Sequence, residues 1–153
     1  MAIDVIDEKL LKVLQETGRI SISELSKRIN LSLSAVSERL KKLESSGVIQ
    51  QYTAILDPGK MGKNIIAIIM IAMNGDPAPN DFVRYMNSND CVMSCSRITG
   101  SFDYIVKICS DNQKTFQGIL DDIKKFKGVV TVHSMVLLGD IKIRYSVPPL
   151  ATK

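Results

Sequence analysis

Apolar residues recur at intervals of three and four through the first third of the chain, which is the spacing of an amphipathic helix. In the first such segment, the apolar positions on one face are Ile6, Leu10, Val13 and Leu14. The polar positions, mostly on the opposite face, are Asp7, Glu8, Lys9, Lys12 and Gln15. Asp4 precedes the pattern as an N-cap, so we expect a helix that runs to about Glu16 and is ended by Gly18.

Two shorter helices are predicted between Ser21 and Ile49. Ser21 and Glu24 have the spacing of a capping box, which starts one helix, and Asn30 tolerates the left-handed conformation that ends it. Leu31 follows as a buried plug, and Ser32 or Ser34 can cap the next helix, which Gly47 ends. We expect the three helices to pack around Leu10, Leu14, Leu25, Ile29, Val36 and Leu40, and Leu43 continues the apolar stripe of the last helix.

The pattern becomes extended after Gly47. Residues 49–56, IQQYTAIL, read as a strand, so the three helices and this strand predict a winged helix-turn-helix with a minimal wing. Asp57-Pro58-Gly59-Lys60 is a strong turn signal. We therefore expect two domains, 1–60 and 61–153.

Residues 65–74 are apolar on both faces, which predicts a strand buried on both sides, although a short buried helix has the same pattern. Asp76-Pro77-Ala78-Pro79 breaks this run. Further on we expect a helix over 80–88, capped by Asn80, with Phe82, Val83 and Met86 facing inward. The remaining predicted elements are strands 92–98 and 102–109 joined by a hairpin at Thr99-Gly100-Ser101, a helix over 115–126 ended by Gly128, and strands 129–138 and 141–147.

This order of elements predicts an α+β, ferredoxin-like βαββαβ domain, in which two helices cover one face of a four-stranded antiparallel sheet. No helix is left to cover the other face. If Met70, Cys95 and Val106 or their neighbours lie there, the exposed apolar patch favours a second copy of the chain as its cover.

The surface of the third predicted helix carries small residues first and cations later, which suits a helix that enters the major groove of DNA. The predicted DNA-binding residues are Ser32, Ser34, Ala35, Ser37, Glu38, Arg39, Lys41 and Lys42. Between Arg19 and Lys42 there are six cations and two anions, a local charge of +4 that would attract phosphates. The formal charge of the whole 153-residue chain is also only +4, so the location of the cations carries this inference. An ordinary pair of solvated helices is the alternative.

Other classes of protein are disfavoured. The sequence starts without a secretory signal and its longest apolar run, residues 65–73, is too short to span a bilayer, so we expect a cytoplasmic protein with no membrane partner. Cys91, Cys95 and Cys109 lack the spacing of a metal site, and His133 is the single histidine. We therefore expect no catalytic residue, no metal and no cofactor other than a possible amino-acid effector.

Several segments together resemble the Lrp/AsnC ("feast/famine") family of bacterial and archaeal transcription regulators over nearly the whole chain. They are Asp4, Asp7, Leu10 and Leu14; Gly18-Arg19; residues 24–28; Leu31-Ser32; residues 36–40; Leu43-Glu44; residues 47–49; residues 52–54; residues 100–104; and Gly128-Val129. A helix-turn-helix alone is moderately specific, whereas its pairing with a GxFDY hairpin in a βαββαβ domain is highly specific.

The resemblance implies a dimer of two-domain chains, commonly assembled into a tetramer or octamer, that binds promoter DNA. It also implies that the second domain senses a small amino acid at contacts between dimers, near the GxFDY turn. The implied effector-binding residues are Gly100, Ser101, Phe102, Asp103, Tyr104, Val132 and Ser134. Gly100 and Ser101 offer N–H groups for a carboxylate and Asp103 a countercharge for an ammonium. Alternatively, Gly100 only permits the hairpin and Asp103 is a solvated strand residue.

The sequence departs from the family pattern in two respects. Val132 and Ser134 stand where the family often has threonine, so one hydroxyl is lost, and Asn30 stands where it usually has glycine. The sequence thus predicts a sequence-specific transcription regulator whose assembly and DNA binding a small amino acid modulates. Val132 keeps open the alternative, an effector-independent nucleoid-architecture protein.

Overall fold

The computed structural model describes residues 2–74 and 78–150, which fall into two compact units. The first unit holds the residues up to Ile55 together with those from Lys142 onward, and the second runs from Leu56 to Ile141. The sequence-based division at residue 60 differs from this one in giving the last residues of the chain to the second domain.

The described residues of the first unit form three helices, α1 (Val5–Glu16), α2 (Ile22–Ile29) and α3 (Leu33–Ser45). They pack around a core that confirms the predicted cluster and adds Leu11 and Leu43 to it. The buried core side chains are Leu10, Leu11, Leu25, Val36 and Leu43, with Leu14, Ile29, Leu31 and Leu40 partly buried against them.

The helix starts follow the predicted caps with one difference, at Glu24. Asp4 caps α1 as predicted, and Asp7 bonds back to it, so that α1 carries a complete capping box. Ser21 accepts a hydrogen bond from the Glu24 backbone N–H at 3.1 Å, but the Glu24 carboxylate lies 3.7 Å from Arg28 instead of reaching back to Ser21. Thr17 is the C-cap of α1, so Gly18 directly follows the end of the helix as predicted.

The predicted strands at 49–56 and 141–147 are wrong. Neither segment has a hydrogen-bonded neighbour strand among the described residues, and a strand needs one because its backbone groups bond across the ladder. Apart from Ile49, which packs partly buried against the helix core, their large apolar side chains are exposed, including Leu56 and Ile141. The Gln15 side-chain amide fixes the later segment to α1 by donating to Ser146 Oγ at 3.0 Å and to the Val147 carbonyl at 2.7 Å. The predicted turn at 57–60 leads into a short 3₁₀ helix, Gly59–Met61.

The described part of the second unit confirms the ferredoxin-like prediction. Its elements are β1 (Ile65–Met73), α4 (Asn80–Ser88), β2 (Val92–Arg97), β3 (Tyr104–Ser110), α5 (Gln113–Lys125) and β4 (Val129–Val136). The sheet order is β2-β3-β1-β4 and every neighbouring pair is antiparallel. β1 therefore lies between β3 and β4, at the centre of the unit.

One face of β1 is buried and the other is only partly covered, so the predicted burial on both sides is wrong for the single chain. Ala67, Ile69, Ile71 and Met73 pack into a cluster with α4 and α5. Alternate residues along a strand point to opposite faces, which puts Met70 on the open face as predicted.

The placement of Cys95 and Val106 on that open face is wrong. Val106 is fully buried opposite Ile69, in the cluster beneath the helices. Cys95 pairs with Val106 and therefore faces the same way, although it is exposed because β2 is the edge strand.

Details of the helices in this unit also differ from the prediction. Pro79, not Asn80, is the N-cap of α4, and Val83 is exposed although Phe82 and Met86 are buried. The α5 helix begins two residues early because Asn112 caps it, accepting from the Thr115 N–H at 2.9 Å. Asp76 and Pro77, in the predicted break before α4, lie outside the described residues.

Two glycines of this unit should respond oppositely to alanine. Gly128 has φ +93°, and a Cβ there would lie 2.8 Å from the Asn74 carbonyl oxygen, whereas Gly118 lies in α5 with open space around it. We expect Gly128→Ala to destabilise the protein by more than about 1 kcal/mol, because a left-handed backbone and a rigid carbonyl both oppose the methyl group. Gly118→Ala should stabilise it by about 1 kcal/mol. Chemical denaturation measures both, and equal effects would contradict the placement of Gly128.

Candidate nucleic-acid interface and effector site

The break between α2 and α3 is fixed by a compact set of hydrogen bonds. Asn30 adopts the left-handed conformation (φ 57°, ψ 51°), as predicted for the end of α2. The Leu31 N–H donates to the Ser26 carbonyl at 3.1 Å, and the Ser26 hydroxyl donates to the Leu31 carbonyl. Ser32 then caps α3 by accepting from the Ala35 N–H at 3.2 Å. Helix, tight turn and helix are thus one rigid motif, in which Ser26 was not anticipated from the sequence.

The exposed surface of α3 brings most of the predicted DNA-binding residues together. Ser32, Ser34, Ser37, Glu38, Lys41 and Lys42 are exposed and Ala35 is half-buried. The opposite face carries Val36 and Leu43, both fully buried. Small hydroxyl side chains therefore lie towards the start of the helix and ammonium groups towards its end, an arrangement that can place bases and phosphates against different turns.

Leu33 belongs to this surface and was missed from the sequence. It is the first residue of α3 and is 54% exposed, although apolar residues at that position normally pack inward. An aliphatic side chain beside Ser34 and Ser37 could contact a thymine methyl group in the major groove. The spacing from Leu33 to Val36 and Leu40 puts Leu33 in the apolar stripe and would predict burial, so the sequence pattern carried no signal of its exposure.

Arg39 is placed differently from the other predicted DNA-binding residues. Its Nη1 donates to Asp4 Oδ2 and to Asp7 Oδ1, each at 2.7 Å. The pair holds the pKa of Arg39 above its ordinary value, and the pKa of Asp4 is lowered, first by its bond from the Asp7 N–H and then by Arg39. Asp7, predicted on the polar face of α1, is buried because it meets this cation. The phosphate contact assigned to Arg39 stays a prediction.

The segment after α3 is joined to it by a side-chain hydrogen bond. The Tyr52 hydroxyl donates to Glu44 Oε1 at 3.0 Å. Desolvation and then this bond raise the pKa of Tyr52 to about 12, so the hydroxyl keeps its proton at neutral pH. Glu44 therefore keeps its negative charge and is held in place by a neutral donor.

The predicted effector hairpin joins β2 to β3 across residues 98–103. Gly100 has φ +119°, which only glycine adopts without strain, so its conformational role in the hairpin is confirmed. The backbone of Asp103 accepts from the Ile98 N–H at 2.8 Å and donates to the Ile71 carbonyl at 2.9 Å.

The Asp103 side chain has a structural task that the sequence did not predict. Its Oδ2 accepts from the Met73 N–H at 2.7 Å, which ties the hairpin to the end of β1. The carboxylate is therefore neither simply solvated nor wholly available as a countercharge for an ammonium group, since one of its oxygens is already bonded.

The structure places the predicted effector residues at the hairpin end of the sheet but on two faces. Ile71 pairs with Tyr104 on one side and Val132 on the other, so these side chains share the buried face and pack against the core. Phe102 lies instead beside His133, with ring centroids 5.2 Å apart, and His133 pairs with Met70 of the open face. Gly100, Ser101 and Ser134 are exposed.

The described residues contain neither a candidate metal-binding cluster nor a helix that could span a membrane. No group of three or more His, Cys, Asp or Glu side chains there is arranged to hold a metal ion. No helix in residues 2–74 and 78–150 is long and apolar enough to cross a membrane.

Two family models match the chain, one in each unit. A winged helix-turn-helix DNA-binding model matches residues 3–50, and an Lrp/AsnC ligand-binding domain model matches residues 66–147. The first match covers α1 to α3, and the second covers the whole sheet with its helices.

Named relatives and solved structures agree with these matches. The chain is 32% identical to the HTH-type transcriptional regulator FL11 of Pyrococcus abyssi, over 97% of both chains, and 31% identical to the leucine-responsive regulatory protein of Escherichia coli K12, over 92% of this chain and 87% of that one. A transcriptional regulator of Neisseria meningitidis in complex with L-methionine superposes with a TM-score of 0.89 at 35% identity, covering 95% of this chain and 96% of that one. A feast or famine regulatory protein of M. tuberculosis, also complexed with L-methionine, superposes with a TM-score of 0.86 at 29% identity, covering 97% of this chain and 100% of that one.

Replacing Asp103 should test its structural task. We expect Asp103→Ala to destabilise the sheet unit by about 1–3 kcal/mol, because it leaves the Met73 N–H without its acceptor. Asp103→Asn keeps an acceptor oxygen and should lose less. Asp90→Ala, at an exposed turn, is the control and should stay within about 0.5 kcal/mol of the parent. Urea denaturation compares the three variants, and an Asp103→Ala variant as stable as Asp90→Ala would contradict the assignment.

Proposed function

The chain belongs to the Lrp/AsnC family of DNA-binding transcription regulators, and from this premise we propose that the exposed face of α3 reads promoter DNA. The observation that carries the proposal is the surface of α3, where exposed Leu33, Ser34 and Ser37 precede exposed Lys41 and Lys42. The first group would lie against base edges, and the two lysines would lie near phosphates. In a dimer, two such helices would read half-sites about one helical turn of DNA apart.

We further propose that a small amino acid is the effector and binds at the exposed tip of the hairpin, residues 98–103. The chain carries an amino-acid ligand-binding domain of this family, and two similar regulators were solved with L-methionine. Gly100 and Ser101 are exposed residues of this turn, and their backbone N–H groups would suit a carboxylate. Val132 packs into the core of the unit, so its side chain would act on the site through Tyr104 and Ile71 instead of touching the ligand.

A second copy of the chain is proposed to cover the open face of the sheet. That face carries Ile66, Ile68, Met70 and Ile105, all only partly buried in the single chain. Apolar side chains in such a row favour association between copies. We propose a dimer as the basic unit and a tetramer or octamer as its further assembly, through which the effector would change which DNA sites are bridged.

The comparisons favour this regulator over the effector-independent architectural protein, because the whole sheet unit matches a ligand-binding domain. Its relatives are named as transcription regulators and not as enzymes. A protein with this role works where the chromosome is, so we place it in the cytoplasm.

The test is binding to the DNA immediately upstream of its own gene. We expect fluorescence anisotropy at two salt concentrations to show tighter binding to that DNA than to a scrambled fragment, with the preference kept at the higher salt because base contacts depend less on counterion release. Equal binding to both fragments, lost steeply as salt is raised, would contradict sequence-specific reading by α3.

A further inference from the structure

We propose that Arg39 is a positioning residue, which holds the reading helix α3 on α1 through the carboxylates of Asp4 and Asp7 and does not itself bind phosphate. This inference rests on the proposed role of α3 in reading DNA. It deepens that role, because it divides the cations of α3 between DNA contact and helix placement.

The oxygens of the Asp4 and Asp7 carboxylates all accept hydrogen bonds. Asp4 Oδ1 accepts from the Asp7 N–H at 2.8 Å, and Asp7 Oδ2 accepts from the Asp4 N–H at 3.2 Å. These two bonds are the capping box of α1. The other oxygen of each carboxylate, Asp4 Oδ2 and Asp7 Oδ1, accepts from Arg39 Nη1. Each of the four oxygens thus has a donor, and the start of α1 and the middle of α3 form one network.

The Asp7 carboxylate is the most buried of the three charged groups. The Asp7 side chain is only 5% exposed, whereas Asp4 is 52% exposed and Arg39 is 30% exposed. A buried carboxylate is strongly unfavourable without a cation, because the protein interior solvates charge poorly. If Arg39 turned towards a phosphate, Asp7 would lose that cation. Lys41 and Lys42 are exposed and are free of this constraint.

Apart from Arg39, α3 is held in the helix unit by apolar contacts. Its buried contacts are apolar, through Val36 and Leu43, with Leu40 partly buried, and both α1 and α3 pack on α2. Apolar contacts are non-directional and permit small rotations of a helix about its axis. Short charge-assisted hydrogen bonds are directional, so Arg39 would set the rotation of α3 and hence the aim of Ser34 and Ser37.

The decisive experiment measures DNA affinity and its salt slope for Arg39→Ala, Asp7→Asn and Lys41→Ala, on the gene's own upstream DNA and on a scrambled fragment. We expect Lys41→Ala to weaken binding to both DNAs equally and to lower the slope by about one. Arg39→Ala should instead lose about tenfold or more of the preference for its own DNA while the slope stays unchanged. Lys9→Ala, at an exposed position of α1, is the control and should match the parent protein.

Asp7→Asn separates the two roles of Arg39 most sharply. The variant removes a negative charge and frees Arg39, so a phosphate-binding Arg39 would bind all DNA more tightly. If Arg39 is a positioning residue, we expect the reverse, a loss of sequence preference like that of Arg39→Ala. Combining Arg39→Ala with Asp7→Asn should then cause no further loss. Arg39→Lys should recover little of the sequence preference that Arg39→Ala loses, because one ammonium cannot reproduce the fixed guanidinium geometry. If Asp7→Asn does not fold, Asp4→Asn makes the same comparison at the more exposed carboxylate.

Two results would overturn the proposal: a salt slope that falls by about one in Arg39→Ala, or tighter DNA binding by Asp7→Asn. Failure of the proposed function is recognised separately, because the parent protein would then show no preference for its own DNA. In that case thermal unfolding decides. Additive effects of Arg39→Ala and Asp7→Asn on the melting temperature would refute the network, and non-additive effects would support it.

Discussion

The helix unit depends on the neutralisation of one buried carboxylate, that of Asp7. Its N–H and one oxygen complete the start of α1, and its other oxygen needs a cation in a place that water hardly reaches. Arg39 meets this need from the middle of α3, 32 residues further along the chain. Arg39 of α3 is therefore bonded to α1. In our proposal, the other exposed residues of α3 form the surface that reads DNA.

The sheet unit uses an aspartate in a related way. Asp103 bonds the last N–H of β1, so the hairpin assigned to the effector is anchored to the central strand instead of hanging free. Gly128 meets the same end of β1, where its carbonyl accepts from the Asn74 N–H at 2.7 Å. In both units, an aspartate side chain thus accepts a backbone N–H at the end of a helix or strand.

Local patterns predicted most of the fold, and contacts between distant residues explain what they missed. The three helices and the four strands of the sheet followed from apolar spacing, caps and turn residues, because these act within a few positions. The strands predicted at 49–56 and 141–147 failed because a strand also needs a partner, which the pattern of one segment does not reveal. The contacts of Asp7, Arg39 and Asp103 were not predicted for the same reason, because each contact is made with a residue about 30 positions away. The split of Val132 and Phe102 between two faces follows from strand register, which is likewise non-local.

The central claim is that this chain binds DNA through α3 and an amino acid through the hairpin at 98–103. Amide hydrogen exchange on the full-length protein tests both halves together, with its own upstream DNA and with L-methionine as the probe. If this claim holds, the DNA slows exchange at the start of α3 and L-methionine slows exchange in the hairpin. Protection of the sheet unit by DNA with α3 unchanged, or no change in the hairpin with any of a panel of amino acids, would contradict it.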